Sequence, residues 1–213
     1  MIQHSKIFDI QSKADFLKIS LEIFKYQYQN NHVYQHFCKL LHKSPDNVRS
    51  LADIPFLPIQ FFKSHQILSD NKPAEITFTS SGTTGSTTSK HIVTNLEIYE
   101  DSFNKAFQKF YGSAEDLTIL ALLPSYLERE GSSLIYMVEH LIKKSNQSES
   151  GFYLDNLDTL KNKLIQLDKD GKKILLIGVS FALLDLVENH QFQLENTIIM
   201  ETGGMKGRRK EMI

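Results

Sequence analysis

The chain has 213 residues, 41% of them hydrophobic and 23% charged, which suffices for a packed core and argues against wholesale disorder. A formal net charge of −1 excludes a surface built to wrap nucleic acid, the basic run Gly207 to Lys210 being too short to count as one. Cys38 is the only cysteine, so neither an internal disulfide nor a cysteine-rich metal site can form, and a reducing, cytoplasmic setting is expected. No run approaches a membrane span, and the segment from Met1 to Lys13 lacks the apolar stretch of a signal peptide.

From Ala14 to Leu41 the residues Phe16, Leu17, Ile23, Phe24, Val33, Phe37, Leu40 and Leu41 recur at helical spacing, with the pair Asn30 and Asn31 splitting the pattern into two helices. Pro45, Pro55 and Pro58 then predict an extended, buried connector after a short helix, because each fixes its own φ and drives its predecessor out of the helical region. The segment from Ala74 to Ser80 reads as a strand entering a hydroxyl-rich loop, and the segment from Lys90 to Thr94 as a strand leaving it. Asn95 caps an amphipathic helix that runs to Tyr111 and places Leu96, Tyr99, Phe103, Phe107 and Phe110 on one face. Beyond it strands and helices alternate: strands start at Leu117, Gly151, Lys173 and Asn196, with helical patterns between them. Continuous Ile, Leu and Val in those strands predict an α/β fold, a mainly parallel sheet flanked by helices and preceded by a helical N-terminal segment. Residues 1–70 would form that helical segment and the Pro-rich connector, and residues 71–213 the α/β part. Ligands of such sheets sit at the carboxyl ends of the strands, here after Leu123, Gly178 and Glu201.

The stretch from Thr77 to Val93 holds ten Ser or Thr residues, two Gly and one Lys. It is not a Walker P-loop, since Gly82 and Gly85 lie three apart and Lys90 five beyond Gly85. Backbone N–H groups in a Gly-permitted turn nevertheless make an anion nest, hydroxyls add donors, and Lys90 adds a positive charge. A ligand-free Ser/Thr/Gly turn has the same composition, so the residues alone leave both readings open.

Order decides more than composition. Thr79, Ser80, Ser81, Gly82, Thr83, Thr84 and Gly85, followed by Lys90, resemble the phosphate-binding signature of the adenylate-forming superfamily, although the loop is longer and Ser89 replaces the usual Pro before the lysine. The segments from Asp53 to His65, Leu122 to Leu134, Ile177 to Leu186 and Met200 to Met212 further resemble LuxE-like acyl-protein synthetases, with phenylacetate-CoA ligases as cousins. The resemblance runs in order from about Val33 to the last residue. It implies part of the large N-terminal domain of an adenylate-forming enzyme, ATP and Mg²⁺ as cofactors, a carboxylic acid of the fatty class as substrate, and a protein cysteine or CoA as thiol acceptor. Within it Lys90 is the catalytic residue, and Thr79 to Gly85 would grip the phosphates. Gly203 and Gly204 resemble an adenine-contact turn, and Pro124, Ser125, Tyr126 and Gly178 would line the acyl pocket; a plain strand-to-helix turn and core packing remain alternatives for these. No residue is assigned to metal. The superfamily's Tyr-Gly-x-Thr-Glu motif and ribose-binding Asp do not occur by Ile213, so the chain is expected to be an N-terminal portion that does not catalyse the reaction by itself. A non-catalytic nucleotide- or acyl-binding module and an aryl- or acyl-CoA ligase are the alternatives.

His32 and His36 sit one helical turn apart near His42, but Val33 stands where a zinc-protease helix needs Glu, so a metal site is not expected. Cys38 lies inside the amphipathic pattern and reads as a small buried hydrophobe. Glu128, Arg129 and Glu130 read as a solvated, ion-paired turn.

Overall fold

The computed structural model describes residues 5–70, 72–80, 88–123, 131–154 and 156–203. The chain divides into two compact units, Met1–Ser102 and Phe103–Ile213.

In the first unit a single turn, α1 (Ser5–Phe8), precedes α2 (Lys13–Asn30) and α3 (His32–Leu40). The break between α2 and α3 falls at Asn31, as the sequence predicts, and its side chain explains why. Asn31 adopts an extended conformation, closes α2 through its N–H on the Gln27 carbonyl, and accepts from the Tyr34 N–H at 3.0 Å to cap α3. The core of this unit is small: Phe24, Tyr34, Cys38 and Val48, with Leu21, Tyr28, Phe37, Ile54 and Leu57 packed on it. Cys38 is fully buried, and burial pushes its thiol above the ordinary value. Phe16, Leu40 and Leu41, assigned to the apolar stripe by periodicity, are exposed. They lie at the ends of the two-helix pattern, beyond the side chains that make the cluster.

The Pro-rich connector makes a 3₁₀ turn (Leu51–Asp53), runs extended through Pro55 and Pro58, and enters the short helix α4 (Phe61–Ser64). It is not buried throughout. Ile54 and Leu57 pack on the small core, whereas Phe56 and Ile59 are 83% and 73% exposed. Pro55 and Pro58 keep this segment from forming a regular element with one covered face, so only the side chains that reach the small core are packed. Two strands, β1 (Ile76–Thr79) and β2 (Lys90–Val93), form an antiparallel hairpin.

Helix α5 (Leu96–Tyr111) spans the division between the units, with its first N–H groups held by Asn95 and Glu75. It buries Phe103 and Phe107, but Phe110, predicted on the same face, is 75% exposed. Position 110 lies on that face, seven residues beyond Phe103, but among the described residues no neighbour covers the last turn of the helix.

The second unit is a four-stranded parallel sheet in the order β4, β3, β5, β6, comprising β3 (Thr118–Leu122), β4 (Gly151–Phe152), β5 (Ile174–Gly178) and β6 (Thr197–Glu201). Helices α6 (Ser133–Ser145), α7 (Leu157–Lys169) and α8 (Ser180–Asn189) link successive strands, as parallel pairing requires. All five residues of β3 and of β5 are buried, which accounts for their unbroken apolar sequences. Ile135, Val138 and Leu141 of α6, Leu160 and Leu164 of α7, and Leu186 of α8 complete this core. The predicted mainly parallel α/β architecture, with helices flanking the sheet, is the architecture observed. Strand β4 is shorter than its sequence suggested, although the Tyr153 N–H still donates to the Ala121 carbonyl at 2.8 Å.

Asp168, buried near the end of α7, ties that helix to the entry of β6. Its carboxylate accepts from the N–H groups of Glu195 and Asn196, each at 2.9 Å, and from the Thr197 hydroxyl at 2.7 Å. These donors, led by the Glu195 N–H, hold its pKa below the usual carboxylate range. Among the described residues no helix is long and apolar enough to cross a membrane.

Candidate functional site

The hydroxyl-rich loop is mounted on the β1–β2 hairpin. Pairing runs from Ile76 opposite Val93 to Thr79 opposite Lys90. Directly opposed residues of an antiparallel ladder share a face, so Thr77, Thr79, Lys90 and Ile92 lie on one side and Phe78 and His91 on the other. The second side is anchored. Phe78 is buried and packs on Tyr99 with ring centroids 5.0 Å apart, and His91 stacks on Phe62 at 5.7 Å.

Beyond the last strand pair, Ser80 and Ser89 close the neck of the loop. The Ser80 N–H donates to the Ser89 carbonyl at 3.1 Å, and the Ser89 N–H donates to Ser80 Oγ at 3.0 Å. The residue replacing the expected proline thus has a use that proline could not serve, because its N–H is a donor in the clamp. Lys90 is exposed and makes no ion pair among the described residues, so its ammonium is available to an anion. Of the predicted phosphate-handling residues, Thr79, Ser80 and Lys90 are brought together at this neck. Ser81, Gly82, Thr83, Thr84 and Gly85 lie outside the described residues.

A second group of predicted residues meets at the carboxyl edge of the parallel sheet. Strand β3 is followed in the chain by β4 on one side and paired with β5 on the other, so the order reverses between β3 and β5. In open α/β sheets the crevice outside such a reversal is where ligands bind. Leu122, Gly178 and Glu201 stand in register across this edge. Gly178 is there for a packing reason: a Cβ on it would lie 2.9 Å from Leu183 Cγ and 3.1 Å from Leu122 Cβ. Its carbonyl accepts from the Thr202 N–H at 2.9 Å and the Thr202 hydroxyl at 3.1 Å. Gly203 follows with φ of +76°, a left-handed conformation that favours glycine.

Two residues at this edge were absent from the sequence-derived site. Ser180, the first residue of α8, donates its hydroxyl to Glu201 Oε1, and the Gly203 N–H donates to the same oxygen at 3.0 Å. The only sequence signal for them was their place just after β5 and at the end of β6. Pro124, Ser125, Tyr126 and Gly204 lie outside the described residues. Among the described residues no group of three or more His, Cys, Asp or Glu could hold a metal ion, and His32 and His36 are exposed on α3.

Comparison with known proteins follows from these features. The family described as acyl-protein synthetase, LuxE, matches residues 6–213. A long-chain-fatty-acid–luciferin-component ligase of Photorhabdus luminescens is 39% identical over 69 residues, which are 32% of this chain and 59% of that relative. The chain therefore spans less than two thirds of the curated relative it matches. No solved structure matches it significantly.

Proposed function

We propose, from the premise that this chain belongs to the LuxE family of acyl-protein synthetases, that it carries the nucleotide- and acyl-handling groups of an ATP-dependent, adenylate-forming acyl-activating enzyme. A carboxylate is a poor electrophile, and adenylation gives it a leaving group. In the reading offered, a fatty carboxylate oxygen bonds to the α-phosphorus of ATP while the bond to pyrophosphate breaks. A thiolate then attacks the acyl carbon and AMP departs.

The observation that carries the proposal is the neck of the hydroxyl loop. There Ser80 and Ser89, which bracket the Ser/Thr/Gly-rich segment in sequence, are clamped together, and Lys90 stands opposite Thr79 without a carboxylate partner among the described residues. Hydroxyls, the N–H groups of a Gly-containing segment and an ammonium are together the donor types that suit a polyphosphate, because they offset the charge on its oxygens. Lys90 orients the β- and γ-phosphates and offsets their charge as the carboxylate approaches. In the second unit, taken by itself, the family resemblance makes Gly203 a candidate contact for the base and Gly178 a candidate for the acyl chain. Mg²⁺ would accompany the nucleotide, but no ligand set for it stands among the described residues, and none of these roles depends on it.

Titration with ATP and with pyrophosphate, followed by amide resonances, tests this. Both are expected to shift the amides of Ser80, Ser89 and Lys90. Replacing Lys90→Ala, or Thr83→Val with Thr84→Val, should weaken ATP binding about tenfold, the effect of losing one charge-assisted contact. Acyl-sulfamoyl adenosines of increasing chain length should bind progressively tighter. Spectra unchanged at millimolar nucleotide would reduce the loop to a turn.

A further inference from the structure

Four hydrogen bonds gather at the carboxyl ends of β5 and β6, three of them joining the two segments and one within the second. Thr202 gives two donors to the Gly178 carbonyl, and Ser180 and Gly203 each give one to Glu201 Oε1. The first pair is backbone-centred and would survive any side chain at position 201. The second depends entirely on the Glu201 carboxylate, which reaches forward to its own chain two residues on and sideways to the start of α8.

We propose that Glu201 is a positioning residue, acting with Ser180 as a clasp that sets the direction of the Thr202–Gly203 turn for the nucleotide. The inference rests on the ATP-dependent reading above and extends it to residues that reading does not use. Gly203 sits at φ of +76° and lacks a side chain, so by itself its backbone is weakly constrained. One oxygen of Glu201 takes both available donors, and a carboxylate is the strongest acceptor a side chain can offer an O–H and an N–H. The clasp therefore removes the freedom that Gly203 introduces while keeping the space that a Cβ would occupy. Such preorganisation raises affinity by lowering the ordering cost of binding, not by adding a contact. Glu201 is exposed and not part of the core, so its loss should be felt at the turn and not in global stability.

The test measures the ATP dissociation constant and the hydrogen exchange of the Gly203 amide in wild type, Glu201→Ala, Ser180→Ala and Glu201→Gln. Glu201→Ala is expected to weaken ATP binding about tenfold and to speed exchange at Gly203, with the melting temperature unchanged. Ser180→Ala should weaken it less, since the Gly203 donor remains. Glu201→Gln keeps an Oε1 acceptor and should stay within about threefold of wild type, a rescue that a purely electrostatic role would not show. Wild-type affinity in Glu201→Ala overturns the positioning role and leaves the ATP reading intact. A Gln variant as weak as the Ala variant overturns the clasp in favour of bare charge. A wild-type chain that binds no nucleotide refutes the ATP reading and removes the ligand for which Glu201 would position anything.

Discussion

Replacing Gly178 by alanine puts the sheet edge under a defined load. The added Cβ would sit 2.9 Å from Leu183 Cγ, 3.0 Å from Leu183 Cδ2 and 3.1 Å from Leu122 Cβ. Carbon atoms in comfortable contact lie about 3.5–4.0 Å apart, so the three overlaps amount to about half an ångström each. The Leu183 contacts involve the outer atoms of a partly buried side chain on α8, which can turn away at a cost of about 1 kcal/mol. The Leu122 contact cannot be relieved in that way, because a Cβ moves only with its backbone and Leu122 is wholly buried in β3. Together these place the cost near 2 kcal/mol, within the usual range of about 1–3 kcal/mol for overpacking. For a chain of this size that lowers the melting temperature by about 4–8 °C. Thermal denaturation followed by circular dichroism measures it, with Gly151→Ala as the control, since a Cβ there meets nothing closer than 3.7 Å. Leu183→Ala added to Gly178→Ala should recover about 1 kcal/mol relative to the sum of the single effects, because the two sites share the overlap. A Gly178→Ala protein melting within about 1 °C of wild type would refute the reasoning.

Asp168 should make stability fall in acid. Its folded-state pKa is depressed, so the stabilisation is fully present above the unfolded value of about 3.9 and is lost as pH falls through the folded value. Melting temperatures recorded from neutral pH down to about pH 3 should drop less steeply in Asp168→Asn than in wild type, and equal slopes would count against the clamp. Asn31→Ala removes the acceptor that caps α3 and should cost about 1 kcal/mol, visible in urea denaturation, while Asn31→Asp keeps an oxygen in place and should cost less.

The local elements were legible in the chain because their causes are local. Asn31 could be read as a break and a cap from its type and position, and the unbroken apolar runs of β3 and β5 announced strands covered on both faces. The hydroxyl loop was framed correctly by its two strands, and the segments from Asp53 to His65, Leu122 to Leu134, Ile177 to Leu186 and Met200 to Met212 carried the resemblance to the LuxE family. Periodicity was less reliable at element ends. It put Phe110 and Leu40 against a core, as the Pro-rich connector reading did Phe56, whereas burial needs a neighbour to be present as well as a face to be presented. Strand order was not written in any segment: that β5 pairs with β3 rather than β4, and so puts the reversal of strand order between them, follows from how three crossovers pack together. Gly178 shows the same division within one residue. Its place at a strand end was readable from sequence, but the need for glycine there comes from Leu122, 56 positions earlier, and from Leu183 on the following helix. The contacts of Ser180 and Glu201 with one another belong wholly to the tertiary structure, because the two groups lie 21 positions apart and meet only when β5 and β6 lie side by side.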